Sequence, residues 1–319
     1  MTPLPLDPAA LGATLYVPAT RGDLFALATG ARLPQLRSLV FCLEDAVHVR
    51  DSGAAFANLR AVLGQLAAVR DLAGPALFVR PRDAALLERI VRLPGAEVLD
   101  GFVIPKATAD TLPAYLAALP FAHQSIMPTL ETREAFEPAE MLRLRAQLLA
   151  VAPRVLTVRI GGNDLLQTLG TRRSTTRTAY DGPLGAVIAN LVTTFVPWGF
   201  AMSAPVFESF ADHDRLRDEV ERDLEHGLLT KSAIHPAQVG VIHNAYRVAE
   251  VDFEIATAML NNDAPAIFGS SGMMCEPATH RGWAAATRDR ATLFGVVRSE
   301  PTLSLFGVVR NEPTLSLVG

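Results

Sequence analysis

The amino-acid sequence predicts an α/β protein: a closed barrel of eight parallel strands, each followed by a helix, with a helical extension at the C-terminal end. Three observations lead there. Eight short β-like runs occur, at residues 14–17, 39–43, 76–80, 101–105, 125–130, 155–160, 199–203 and 229–234. Most are too apolar for a sheet with one wet face and fit strands covered on both faces. Helix-capable stretches lie between them, at 54–69, 84–93, 109–118, 139–149, 186–195 and 213–226. Strands alternating with helices in this way indicate a parallel sheet. Eight such units within 319 residues favour closure into a (β/α)8, or TIM, barrel over an open sheet.

The elements follow in order. The first strand leads through Pro18 into the loop Arg21-Gly22-Asp23. The second ends in Leu43-Glu44-Asp45-Ala46, before an alanine-rich stretch that favours helix and packs closely against a barrel wall. The third ends at Arg80, which Pro81 holds extended. The fourth ends at Ile104-Pro105-Lys106 and the fifth at Leu130-Glu131. Pro153 marks a helix stop before the sixth strand, which runs into Gly161-Gly162-Asn163-Asp164. The eighth is followed by His235-Pro236. From Pro236 to Leu260 the chain reads as mainly helical, and residues 268–276 read as a Gly, Ser and Met-rich loop. The expected division is a barrel over 1–250, a helical or lid segment over 251–292 and a tail over 293–319. In that tail a twelve-residue unit, 293–304, repeats as 305–316 with one change, Ser299 against Asn311. Two copies are too few for a solenoid.

Half the residues are hydrophobic, which excludes wholesale disorder. Lys and Arg total 29 against 33 acidic residues, a net charge of -4, which argues against a nucleic-acid partner. A basic leader with a long apolar stretch is missing, and so is an uncharged 18-residue apolar span. A soluble, cytoplasmic protein is expected, with no membrane partner. Cys42 and Cys275 lack metal-ligand spacing. Cys42 reads as a buried thiol in an apolar run, Cys275 as an exposed one in its loop.

Residues at predicted strand ends carry the chemistry. Glu131 and Asp164 follow the fifth and sixth strands, so in one barrel both carboxylates reach one mouth. Two hard oxygen ligands there suit a divalent ion such as Mg²⁺. The competing reading is helix capping by Asp164 and an ion pair for Glu131. Arg80 is placed to grip a carboxylate through two hydrogen bonds, or to pair internally with Glu44 or Asp45. Extended chain would send Glu44 and Asp45 in different directions. Lys106 is placed to neutralise an anion or to orient Glu44. Arg21, Arg172 and Arg173 are candidates for binding an anionic substrate, and equally for solvated loops. Gly161 and Gly162 permit tight backbone geometry and close approach of a substrate to Asn163. Tyr180 sits in a turn that could line the mouth, and His235 reads as polar core or subunit contact. Phosphoryl or acyl transfer in the same pocket, and a non-catalytic small-anion-binding or assembly protein, are the rival functions.

The ordered set Leu43-Glu44-Asp45-Ala46, Val79-Arg80, Pro105-Lys106, Leu130-Glu131-Thr132, Gly162-Asn163-Asp164 and Lys231 to Pro236 resembles the HpcH/HpaI aldolase and citrate lyase β-subunit superfamily, over about residues 11–250. The segments Gly161 to Leu166, Tyr180 to Pro183 and Ala204 to Glu208 resemble its TIM-barrel carbon–carbon bond lyase branch. The resemblance implies Mg²⁺ on Glu131 and Asp164, and a 2-oxo acid, hydroxy-oxo acid or acyl-CoA substrate handled through an enolate. It implies that Arg80 orients the substrate, that Glu44 and Asp45 form an acidic network below it, and that Lys106 supports that network. It also implies homotrimers or homohexamers, in which C-terminal elements help to cover a neighbour's site. Three features depart from the pattern: Asn163 in place of an acid, the arginine-rich loop 171–178, and a tail beyond residue 260 unlike the thioester enzymes' lid. These weigh against citryl-CoA or malyl-CoA as substrate.

Overall fold

Apolar runs of three to six residues form the barrel staves in a computed structural model that describes residues 6–69 and 74–298. The strands are β1 (Ala13–Pro18), β2 (Ser38–Cys42), β3 (Ala76–Arg80), β4 (Gly101–Ile104), β5 (Ser125–Leu130), β6 (Val158–Ile160), β7 (Met202–Ala204) and β8 (Thr230–Ala233). Each pairs in parallel with the next, and β8 pairs with β1 to close the ring. The (β/α)8 barrel is therefore the fold. Four strands, β4, β6, β7 and β8, are shorter than the sequence suggests, and β6 and β7 have local reasons. A 3-10 turn over Ala152–Arg154 leaves Val155 only an isolated bridge to Ile126, so β6 starts at Val158. Gly199 has φ +85°, a left-handed conformation that ends a turn, so β7 starts at Met202.

The helices on the outside are α1 (Leu24–Ala28), α2 (Ser52–Ala67), α3 (Ala84–Ile90), α4 (Leu112–Ala117), α5 (Pro138–Ala150), α6 (Gly162–Thr168), α7 (Pro183–Phe195), α8 (His213–Glu225) and α9 (Pro236–Ala245). Helix α2 buries Ala55, Leu59, Val62, Leu63 and Leu66, the one-face spacing of an amphipathic helix. Asp83 caps α3 and Asp212 caps α8, each accepting a backbone N–H three residues on. Inside the barrel, Leu11, Val40, Phe78, Val103, Met127 and Leu156 pack together. A fully buried Arg159 crosses the same interior. It donates to Thr14 Oγ1 at 2.7 Å and to Ser203 Oγ and Ser232 Oγ at 3.1 Å.

Between Ile242 and His243 the chain divides into two compact units. The second contains β9 (Val248–Ala249), α10 (Glu250–Leu260), β10 (Phe268–Ser270), β11 (Met273–Cys275), α11 (Pro277–Phe294) and β12 (Val296–Val297). Ile255, Ala256, Met259, Phe268, Cys275 and Ala284 form its core. The segment expected as a loop is instead an antiparallel hairpin of β10 and β11. Ser271 and Gly272 turn it with φ of +50° and +76°, the positive pair that two-residue hairpins favour. That pairing places Cys275 in the core, so it is buried, against the sequence expectation. The start of the repeated tail pairs as β12 with β9, and its remainder from residue 299 lies outside the described residues. Among the described residues, no helix is long and apolar enough to cross a membrane.

Candidate active site

Functional side chains gather at the C-terminal ends of β2 to β6, where the loops of such a barrel build its sites. Strand β5 ends at Leu130, so Glu131 is the first residue to leave the wall. It is only 4% exposed. Its Oε1 accepts the backbone N–H of Lys106 at 2.7 Å. Lys106 adopts φ +48°, uncommon for a side-chain-bearing residue. Asp164 arrives in the first turn of α6. The two glycines between β6 and Asp164 have steric reasons. A Cβ on Gly161 would lie 2.3 Å from Glu131 Cβ, and one on Gly162 would lie 2.8 Å from Pro205 Cβ. Burial, and next the charge of Asp164, push the Glu131 carboxyl up to about 7. Burial likewise raises Asp164. The two acids line a cavity of about 520 Å³ together with Lys106, Glu134 and Gln167.

Beside them lies a chain of paired charges. Arg80 Nη2 is 3.2 Å from Glu44 Oε2, and Lys106 Nζ contacts Glu44 Oε1 and, at 3.3 Å, Asp45 Oδ2. Asp45 does not diverge from Glu44 as alternation would demand. Strand β2 stops at Cys42, and the chain at 44–45 is a turn, so both acids reach one ammonium. Burial disfavours the ammonium of Lys106, but the Glu44 hydrogen bond and the charges of Glu44, Glu131 and Asp45 together outweigh it and raise the pKa. Lys106 is thus a fixed cation rather than a neutral nucleophile. The Arg80 guanidinium lies 5.3 Å from the centre of the Tyr16 ring.

Glu44 therefore takes both cations. Among the described residues neither Glu131 nor Asp164 has an ion-pair partner. With all four carboxylates ionised, the two cations leave two negative charges, which one divalent ion would balance. No group of three or more His, Cys, Asp and Glu residues arranged for a metal occurs among the described residues. Two carboxylates with the remaining positions open to water or substrate oxygen still suit Mg²⁺, which keeps several waters.

Other residues singled out in the sequence lie elsewhere. Arg21 is committed to Asp23 at 2.7 Å. Asn163 is exposed on α6. Arg172 is exposed in a separate depression with Ser174, Glu208 and Asp212. Arg173 and Tyr180 belong to a buried network under α8. Arg173 pairs with Glu219 and donates to the Val206 carbonyl at 2.5 Å, and the Tyr180 hydroxyl donates to Asp223 at 2.6 Å. Lys231 completes that network, 3.0 Å from Glu219 and 2.8 Å from Asp223. Carboxylates on α8 hold both Arg173 and Tyr180, and Arg173 also borders the depression that contains Arg172. His235 stacks on Phe210 at 4.9 Å. Sequence reasoning missed Tyr16, Cys42 and Arg159, all polar or polarisable side chains hidden within strands.

A closed (β/α)8 barrel with acids and a held guanidinium at its C-terminal mouth defines a class of enzyme sites built for anionic oxygen substrates. The chain belongs to the family described as C-C_Bond_Lyase of the TIM-Barrel fold, whose model matches residues 5–296. It is similar to a (3S)-malyl-CoA thioesterase of Cereibacter sphaeroides, 26% identical over 253 residues, covering 77% of this chain and 80% of that one. The crystal structure of CitE from Mycobacterium tuberculosis in complex with magnesium, acetoacetate and coenzyme A covers 89% of this chain and 99% of its own, at TM-score 0.68 and 21% identity. A second CitE structure from that organism, with magnesium and pyruvate, covers 75% of this chain and 92% of its own, at TM-score 0.56 and 24% identity. At such identities the two structures bear on the fold.

Proposed function

We propose that the protein is a divalent-metal-dependent lyase or aldolase that breaks or forms a carbon–carbon bond next to the carbonyl of a 2-oxo acid, a hydroxy-oxo acid or an acyl-CoA. The observation that carries this reading is the pair Glu131 and Asp164, which line one cavity, with the Asp164 charge raising the Glu131 carboxyl, and neither of which has an ion-pair partner among the described residues. These two residues would hold Mg²⁺. When bound, the ion supplies positive charge where the enolate oxygen develops negative charge.

The chain's own groups do the rest. Glu44 holds Arg80 and Lys106 as fixed cations, and Lys106 lines the cavity. Arg80 donates hydrogen bonds to the substrate's carboxylate or α-oxygen, fixing the plane of the carbonyl. In the cleavage direction the β-hydroxyl loses its proton and becomes the carbonyl of the departing product. The electron pair of the broken carbon–carbon bond passes into the enolate. Asp45 steadies Lys106 from the solvent side. A homotrimeric or homohexameric assembly and a cytoplasmic location belong to the same reading, and sedimentation velocity tests the assembly.

The likeness to a malyl-CoA thioesterase favours a second reading, in which an acyl-CoA is the substrate and its thioester is hydrolysed. One experiment separates them. The protein is incubated with a 4-hydroxy-2-oxo acid or with malyl-CoA, with Mg²⁺ or with a chelator. Aldehyde or keto-acid products and free CoA thiol are measured together. Carbon–carbon cleavage that stops on chelation is expected. Free thiol without cleavage supports the hydrolytic reading, and no product from either substrate class overturns both.

A further inference from the structure

Cys42 ends β2 and is fully buried, with Arg80 directly across from it in the β2–β3 register. Three N–H donors converge on its sulfur. Arg80 Nε lies 3.3 Å from Sγ, Arg80 Nη2 3.2 Å and the backbone nitrogen of Glu44 3.4 Å. Arg80 Nη2 is equally close to Glu44 Oε2 at 3.2 Å, yet that oxygen receives no directed hydrogen bond. The carboxylate thus supplies charge, while the inner edge of the guanidinium is aimed at the thiol. The Tyr16 ring lies against the same guanidinium. This arrangement uses Nε–H and one hydrogen of Nη2. One hydrogen of Nη1 and the outer hydrogen of Nη2 are left as an end-on fork, the geometry that grips a carboxylate with two parallel bonds. Among the described residues Nη1 has no hydrogen-bond partner.

We propose that Cys42 is a positioning residue: its sulfur fixes the Arg80 guanidinium with the end-on fork facing the substrate oxygens, and through the Glu44 amide it also fixes the turn that carries Glu44. The orientation is a property of the protein alone, and its catalytic consequence rests on the lyase reading above. Glu44 alone would not set this orientation, because it is shared with Lys106 on its other oxygen.

The test uses Cys42→Ala and Cys42→Ser in the full chain, with thermal melts to confirm folding. The first readout needs no turnover. The Nε–H resonance of Arg80, assigned by its loss in Arg80→Lys, should exchange slowly with water in the parent. It should exchange at least about tenfold faster in Cys42→Ala, with recovery in Cys42→Ser, which keeps an acceptor at that place. The second readout is kcat/KM with Mg²⁺ and the substrate found above. Cys42→Ala should lower it by about tenfold or more, since small displacements of a positioning group cost on this scale. In an Arg80→Lys background the same substitution should change it by less than about twofold. Unchanged Nε–H exchange in Cys42→Ala overturns the proposal, and so does an equal loss of activity in both backgrounds. If the parent turns over no substrate, the lyase reading fails and the exchange measurement still decides the role of Cys42.

Discussion

Gly161→Ala perturbs the proposed metal site without replacing a charged residue. The glycine has φ -87° and ψ 75°, which alanine can adopt, so the perturbation is steric. An added Cβ would stand 2.3 Å from Glu131 Cβ and 2.4 Å from Glu131 Oε2. Ordinary contact between such atoms starts near ~3.5 Å, so Glu131 must retreat by roughly 1 Å. It cannot do so freely, because its Oε1 is held by the Lys106 N–H at 2.7 Å. A misplacement of about 1 Å at a reacting centre costs on the order of 100-fold in rate, or about 3 kcal/mol. Overpacking adds about 1–3 kcal/mol of lost stability. The assays are Mg²⁺ titration by calorimetry, kcat/KM and a denaturant melt. Gly64→Ala in α2 is the matched control: nothing lies within 4 Å of its Cβ position. It should stabilise the fold by about 0.5–1 kcal/mol and leave activity alone. Parent-like Mg²⁺ affinity and turnover in Gly161→Ala would refute the assignment of Glu131.

Four further outcomes follow, three from the same acids and one from the network under α8. Glu131→Gln and Asp164→Asn should each remove Mg²⁺ binding in calorimetry with the melting curve retained, and parent-like affinity in both would withdraw them as ligands. With the Glu131 carboxyl at about 7, protons compete with the ion, so Mg²⁺ affinity should rise about tenfold from pH 6 to pH 8 and level off above. In the metal-free protein the sign is opposite. The folded state keeps a proton that the unfolded chain loses near pH 4.5, so stability falls as pH rises through the interval to about 7, and Glu131→Gln should flatten that slope in pH-dependent melts. Lys231→Met leaves Glu219 and Asp223 buried without their shared ammonium, and should cost about 3–5 kcal/mol in denaturant unfolding; a loss below about 1 kcal/mol would show that Arg173 and Tyr180 suffice to hold them.

Most strands were legible because staves covered on both faces are largely apolar, whichever way each side chain points; Arg159 in β6 and Lys231 in β8 are charged exceptions with buried polar partners. Arg80, Lys106, Glu131 and Asp164 were legible in place because each lies at or within a few residues of the C-terminal end of such a run, where a barrel builds its loops. The fate of Arg173, Tyr180 and Lys231 was less so, since it depends on partners forty or more residues away for Tyr180 and Arg173 and on which side of the stave Lys231 faces. One signal was present. Leu216, Glu219, Val220 and Asp223 share the buried face of α8, so two acids interrupt an apolar stripe at helical spacing and call for buried cations. Cys42 carried no signal, because a thiol inside an apolar run reads as core.

The two charged clusters use the same residue types and differ in balance. Under α8, Arg173 and Lys231 face Glu219 and Asp223, two cations against two acids, all buried, with the Tyr180 hydroxyl and the Ala179 N–H as further donors. Such a cluster is electrostatically closed and has no use for a ligand. At the mouth, Arg80 and Lys106 are consumed by Glu44 and Asp45, and two more carboxylates face one another across an open cavity. Burial and the nearby Asp164 charge raise the Glu131 carboxyl, and burial raises Asp164, so holding both as carboxylates without a cation costs free energy. The fold meets that cost while forcing a glycine beside Glu131 to let it sit there. A buried charge that nothing in the protein compensates is where an external cation has the most to gain, and that difference, rather than the presence of acids, separates the functional cluster from the structural one.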